Sequence, residues 1–70
     1  MTELDNTLES YFENSCIGWN YKENEKFKHY FVNYLSSQSI EEILKIFNKH
    51  SVPFLLTSEN GKLKIFYEKL

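Results

Sequence analysis

Few side chains in this 70-residue chain are of the types that carry chemistry, and their spacing points to contact rather than catalysis. The most regular set is acidic. Asp5, Glu9 and Glu13 recur every four residues, which on a helix makes one charged stripe. Like charges at that spacing cost a few tenths of a kcal/mol each. Such a stripe is either a solvated face placed well for the helix dipole or a surface that docks a basic partner. His29 and His50 have no Cys or His neighbour at metal-ligand spacing, and Cys16 stands alone. His50 and Ser51 are adjacent in sequence, which does not make a catalytic dyad, and His50 reads as a packing or capping residue. The two glycines, Gly18 and Gly61, both fall where the backbone must stop or turn, so no glycine-rich phosphate loop is available. The inventory predicts no catalytic residue, no metal site and no cofactor, and hence a protein that is not an enzyme.

Composition narrows the class further. Six Phe, five Tyr and one Trp supply large buried areas to a chain near the lower size limit for a single core. One domain, residues 1–70, is expected. A single cysteine precludes an internal disulfide and suits a reducing compartment. The start Met1-Thr-Glu-Leu-Asp5 has no signal-peptide character, and no apolar run is long enough for a membrane span. A cytoplasmic location is the expectation. The formal net charge is −2, unevenly spread. Residues 1–25 hold six carboxylates against Lys22, whereas residues 26–70 hold seven lysines against four glutamates. Arginine is absent, which removes the planar fork used for bidentate recognition of phosphate and guanine.

The elements that would position these residues read as three helices and a hairpin. Thr2 is a good N-cap, and Leu4, Leu8, Tyr11 and Phe12 follow with helical periodicity, predicting a helix over about 3–16 that stops near Gly18. Trp19 and Tyr21 fall in the first connection. Phe27, Tyr30, Phe31, Tyr34 and Leu35 also recur at helical spacing, predicting a second helix over about 22–35 with Lys22, Lys26, His29 and Asn33 on its wet side. Ser39 and Glu42 form a capping box for a third helix over about 40–50, with Ile40, Ile43, Leu44 and Phe47 inward. Two β-rich runs, about 52–58 and 62–69, flank Asn60-Gly61, the preferred pair for a type I′ turn. The fold expected is α+β, three helices packed on one face of this C-terminal two-stranded antiparallel hairpin. No internal repeat is visible.

Helix, turn, helix, hairpin resembles the element order of winged helix-turn-helix proteins, which implies a recognition helix in the major groove and a wing at Lys62 and Lys64. Glu41 and Glu42 at the start of that helix, and the missing arginine, argue against nucleic acid as the partner. The remaining reading is a small regulator or inhibitor that occupies a surface of a larger protein, of the kind phages and mobile elements aim at host or defence machinery. Two surfaces are candidates. One is the acidic stripe Asp5, Glu9 and Glu13, suited to a basic partner. The other is the outer hairpin face with Leu55, Phe66, Lys62 and Lys64, where a second copy of the chain is a further candidate partner.

Overall fold

A computed structural model describes residues 2–69, with the backbone alone at Glu59. The element order is α1 (Glu3–Asn14), β1 (Trp19–Glu23), β2 (Phe27–Val32), α2 (Ser37–Lys49), β3 (Leu55–Glu59) and β4 (Lys62–Glu68). The strands form one antiparallel sheet in the order β1-β2-β4-β3. Two helices therefore pack on a four-stranded sheet, and the expectation of three helices on a two-stranded hairpin is overturned.

The error lies in the middle of the chain. Residues 22–35 carry apolar side chains on both faces, so a period of 3.6 and a period of 2 fit them equally. Aromatic and β-branched content decides for the strand, and burial alternates along Phe27–Val32. The Asn24 side-chain oxygen makes the turn, accepting from the amides of Lys26 and Phe27 at 2.8 Å each. Without a helix at 22–35 there is no helix-turn-helix, so the winged-helix resemblance falls with it. Other local signals hold in part: the left-handed residue after α1 is Cys16 rather than Gly18, and Ile40 and Leu44, expected inward, are exposed. Thr2 Oγ1 accepts from the Asp5 amide to cap α1. Asn60 and Gly61 take φ of 53° and 77°, and the hairpin register runs from Leu55–Phe66 to Glu59–Lys62 as anticipated. The N-cap of α2 is Ser36, whose hydroxyl accepts from the Ser39 amide, rather than Ser39 itself.

Both helices cover the same sheet face. Leu4, Leu8 and Phe12 from α1 and Ile43 and Phe47 from α2 meet Tyr30, Val32, Ile65 and Tyr67, all buried. Ring contacts tie each helix to the sheet. Phe12 lies edge-on to Tyr30 at 5.6 Å between centroids, and Phe47 stacks on Phe54 at 4.3 Å and meets Tyr67 edge-on at 5.3 Å.

The chain is also two copies of one αββ unit, which the sequence pattern did not disclose. A shift of 35 residues, from Asn20 to Leu55, carries the Asn20–Phe31 pair onto Leu55–Phe66, Tyr21–Tyr30 onto Leu56–Ile65 and Glu23–Lys28 onto Ser58–Leu63. The same shift carries Leu8 and Phe12 onto Ile43 and Phe47. It also carries the left-handed residue after α1, Cys16 with φ 55°, onto Ser51 with φ 57°. The closing bonds follow as well: the Ile17 amide donates to the Phe12 carbonyl at 2.8 Å, and the Val52 amide to the Phe47 carbonyl at 3.1 Å. In the central β2–β4 ladder the operation exchanges Tyr30 with Ile65, so a pseudo-two-fold axis passes through that pair. Only Phe12/Phe47 and Phe31/Phe66 keep their identity among the described residues that the shift superposes, because packing conserves apolar character and volume rather than residue type.

This equivalence gives a stability expectation. Phe12→Ala and Phe47→Ala, each at a fully buried site, are expected to cost similar amounts, about 3–5 kcal/mol in urea unfolding. A large disparity would mean that one half carries the core and the other merely docks on it.

Candidate functional site

The acidic stripe does not exist as an exposed surface. Asp5 is only 5% exposed and Glu9 is half-buried, while Glu13 alone faces solvent. Both inward carboxylates meet Lys28, which β2 directs under α1 and which is 3% exposed. The Lys28 ammonium lies 3.4 Å from Asp5 Oδ2 and 3.6 Å from Glu9 Oε2, and 4.6 and 4.8 Å from the ring centres of Tyr21 and Tyr30. Two carboxylates facing one ammonium leave a surplus negative charge. Two phenols answer it: Tyr30 donates to Glu9 Oε2 at 2.6 Å, with Asp5 Oδ1 at 3.2 Å, and Tyr67 donates to Asp5 Oδ1. Among the described residues no buried side-chain polar atom lacks a partner.

The protonation states follow from this arrangement. Burial pushes both the Tyr30 and Tyr67 hydroxyls well above the ordinary phenol value, and their carboxylate acceptors push them further. Burial alone would raise the Asp5 carboxyl, but the Tyr67 hydroxyl, the Lys28 ammonium and hydrogen bonding with Thr2 and Tyr30 together hold it below its usual value. The cluster therefore clamps α1 to β2 and β4. The 35-residue shift sets Ile40, Leu44 and Leu63 in the second half against Asp5, Glu9 and Lys28 in the first. An ionic contact in one repeat thus stands where the other repeat has apolar side chains.

The other expected surface is present and larger than anticipated. With both helices on one side, the opposite sheet face has no element over it. Strand alternation and register place two rows across this face, Lys22–His29–Phe66–Leu55 and Asn20–Phe31–Lys64–Thr57. Leu55, Phe66, Lys62 and Lys64 are brought together there. Phe27, His29 and Phe31, assigned to a helix by their spacing, join them from β2. Phe27 stacks on Phe66 at 5.0 Å, and His29 meets Phe66 edge-on at 4.7 Å. The signal for these residues was the alternation Phe27, His29, Phe31 against Lys28, Tyr30, Val32.

The face has two ends of different chemistry. At one, Phe27, Leu55 and Phe66 border an apolar groove with Pro53 and Phe54. At the other, Phe31 lies in a shallow depression of about 250 Å³ lined also by Asn20, Lys22, Asn60 and Lys62. Among the described residues no group of three or more His, Cys, Asp and Glu is placed to hold a metal, and no helix is long and apolar enough to cross a membrane. No protein-family model matches the chain, and no curated protein matches its sequence.

The buried cluster makes two predictions. Lys28→Leu alone leaves the buried Asp5 and half-buried Glu9 carboxylates without their cation and is expected to cost about 3–5 kcal/mol. Adding Asp5→Ile and Glu9→Leu is expected to recover much of that loss, less about 1–3 kcal/mol for each tyrosine hydroxyl deprived of its acceptor. No recovery in urea unfolding would show that the ions are required for the fold.

Alkaline pH is the second test. Up to pH about 10 both folded and unfolded tyrosines are protonated, and the stabilisation is intact. Above that the unfolded tyrosines ionise while Tyr30 and Tyr67 keep their protons, so stability falls by about 1.4 kcal/mol per pH unit for each. Tyr30→Phe with Tyr67→Phe is expected to flatten that decline; an unchanged slope would assign it to other groups.

Proposed function

We propose that this protein is a small binding protein that regulates or inhibits a larger protein by occupying its surface, through the apolar end of the uncovered sheet face. The observation that carries this reading is Leu55, 58% exposed, beside the stacked Phe27–Phe66 pair on a face that no helix covers. Aromatic side chains with a neighbouring aliphatic anchor are the groups that contribute most to contact energy when a partner excludes water from them. Lys62 and Lys64 flank the patch and would set orientation and association rate.

Binding rather than catalysis is favoured by where the titratable groups lie. Asp5, Glu9, Lys28, Tyr30 and Tyr67, the titratable groups that come together, lie beneath α1 and are satisfied by one another, so that none of these five faces the open side of the sheet. A contact through Asp5 and Glu9 is set aside because those side chains are consumed beneath α1. The reading extends to a cytoplasmic location, which a lone cysteine suits, and to an origin in a phage or mobile element directed at host or defence machinery, which rests on size and composition. A second copy of the chain is the alternative occupant of the apolar end.

The experiment is affinity capture from the native cell, purification of the captured protein, and reconstitution with variants. Leu55→Asp is expected to weaken the complex by about 2 kcal/mol or more while leaving the thermal midpoint unchanged, since Leu55 is largely exposed. Undiminished binding by that variant would remove this face from consideration. Concentration-dependent sedimentation that Leu55→Asp abolishes would identify the occupant as a second copy.

A further inference from the structure

The two halves of the chain differ most on the outer flanks of their helices. In the first half that flank is closed: Asp5 and Glu9 of α1 reach Lys28, whose ammonium lies over Tyr21 of the edge strand β1. The 35-residue shift carries these four positions onto Ile40, Leu44, Leu63 and Leu56. There the flank is apolar and open, with Ile40 38% and Leu44 45% exposed beside the half-buried Leu56 and Leu63. The strand below suits such a flank. Among the described residues β3 lies at the rim of the sheet, and from Phe54 to Ser58 it has none of the charged or proline residues that keep sheet edges apart. The other rim, β1, carries Lys22 and Glu23. The two-residue Asn60-Gly61 turn makes Glu59–Lys62 a hydrogen-bonded pair. By alternation the N–H and C=O of Leu56 and Ser58 then point away from β4.

We propose that a second copy of the chain docks at this rim, β3 against β3 in antiparallel pairing about a two-fold axis, so that the sheet continues through eight strands and α2 packs against α2. The strand is self-complementary. With Leu56 opposite its own counterpart, Leu55 faces Thr57 and Phe54 faces Ser58 of the second copy, and no charge opposes another. Strand spacing then sets the helices. Strands lie about 4.8 Å apart and two helices cover four of them, so α2 meets its counterpart at roughly 10 Å, an ordinary separation for packed helices. Ile40 and Leu44 fill that seam. Charge order along α2 selects this partner: Glu41 and Glu42 precede Lys45 and Lys49, so antiparallel helices set the acidic end of each beside the basic end of the other. The exposed Lys45–Glu42 pair within one helix, at 3.4 Å, is of the surface kind that is readily shared. The molecule already uses this arrangement once, since β2 and β4 pair antiparallel about the pseudo-two-fold axis with α1 and α2 side by side on one face. The interface goes beyond the contact proposed for a larger protein and leaves the Leu55–Phe66 side of the sheet open to it.

The test is sedimentation velocity of the full chain from about 1 μM to about 1 mM, the range in which small interfaces assemble. A reversible monomer–dimer transition is expected, together with amide hydrogen exchange at Leu56 and Ser58 that slows as concentration rises. Leu44→Lys places like charges in the seam. It is expected to weaken the dimer about tenfold or more while melting as the wild type does at about 1 μM, since Leu44 is exposed. Ser58→Pro removes an outward amide that β4 does not use and is expected to weaken the dimer as much. Should it fail to fold, Leu44→Lys alone decides. Leu55→Asp lies on the open face and is expected to keep the dimer while losing the larger partner, which separates the two surfaces. The proposal is overturned by a chain that stays monomeric throughout this range, by a dimer that either folded variant leaves intact, or by a dimer that Leu55→Asp abolishes.

Discussion

Two helices of 12 and 13 residues can cover one face of a four-stranded sheet and no more. That limit on coverage organises the molecule. Sheets bury their apolar side chains by packing against another layer, and a chain of this length has material for a single second layer. Burial on the helical side is nearly complete at Leu8, Phe12, Tyr30, Phe47 and Ile65. The reverse side keeps Phe27, Phe31 and Phe66 half-buried by their neighbours on the strands and leaves Leu55 open. An antiparallel sheet tolerates one solvated face when that face is polar. Here it is aromatic and basic, which makes contact the natural use of it.

Duplicated architecture explains how so small a chain reaches closure. Each αββ unit has one hairpin strand at the outside and one at the middle, and antiparallel pairing of β2 with β4 joins the two middle strands about the pseudo-axis. Neither unit alone would cover or complete its sheet, since an isolated hairpin is marginal in water. The halves have nevertheless diverged in how they hold their helices. The first uses Asp5, Glu9 and Lys28 with two tyrosine hydroxyls; the second has Ile40 and Leu44, both exposed, and Leu63 at those positions and holds its helix through Ile43 and Phe47. A buried ionic cluster adds little net stability over an apolar one but tolerates few alternative arrangements, because each mispaired member would be a buried charge. It therefore suits registration of α1 more than raw strength.

Much of this was legible locally. The Thr2 cap, the first helical stripe, the Asn60-Gly61 turn and the hairpin register all depend on residues within a few positions of one another, where sterics and short hydrogen bonds decide. The hairpin's outward residues Leu55, Phe66, Lys62 and Lys64 were readable for the same reason. The middle of the chain was not. Phe27, Tyr30, Phe31, Tyr34 and Leu35 satisfy a helical repeat, and pairing of that segment with β1 across the Asn24 turn and with β4, over thirty residues away, makes it a strand. The acidic spacing of Asp5, Glu9 and Glu13 was likewise read correctly as a helical stripe and wrongly as an exposed one, because the neutralising Lys28 comes from that misread segment.

The sequence by itself determined the Thr2 cap, the Asn60-Gly61 turn, the C-terminal hairpin and the small aromatic-rich α+β character of the chain, since these are set by local backbone preference and apolar content. Tertiary structure alone decided that residues 27–32 are the second central strand, that Asp5 is buried and Glu9 half-buried among the four carboxylates of α1, and that Phe27, His29 and Phe31 share a face with Leu55 and Phe66. The physical reason is common to all three. Each depends on which strand lies beside β4, and that is a long-range pairing whose energy is realised only when both halves of the sheet meet.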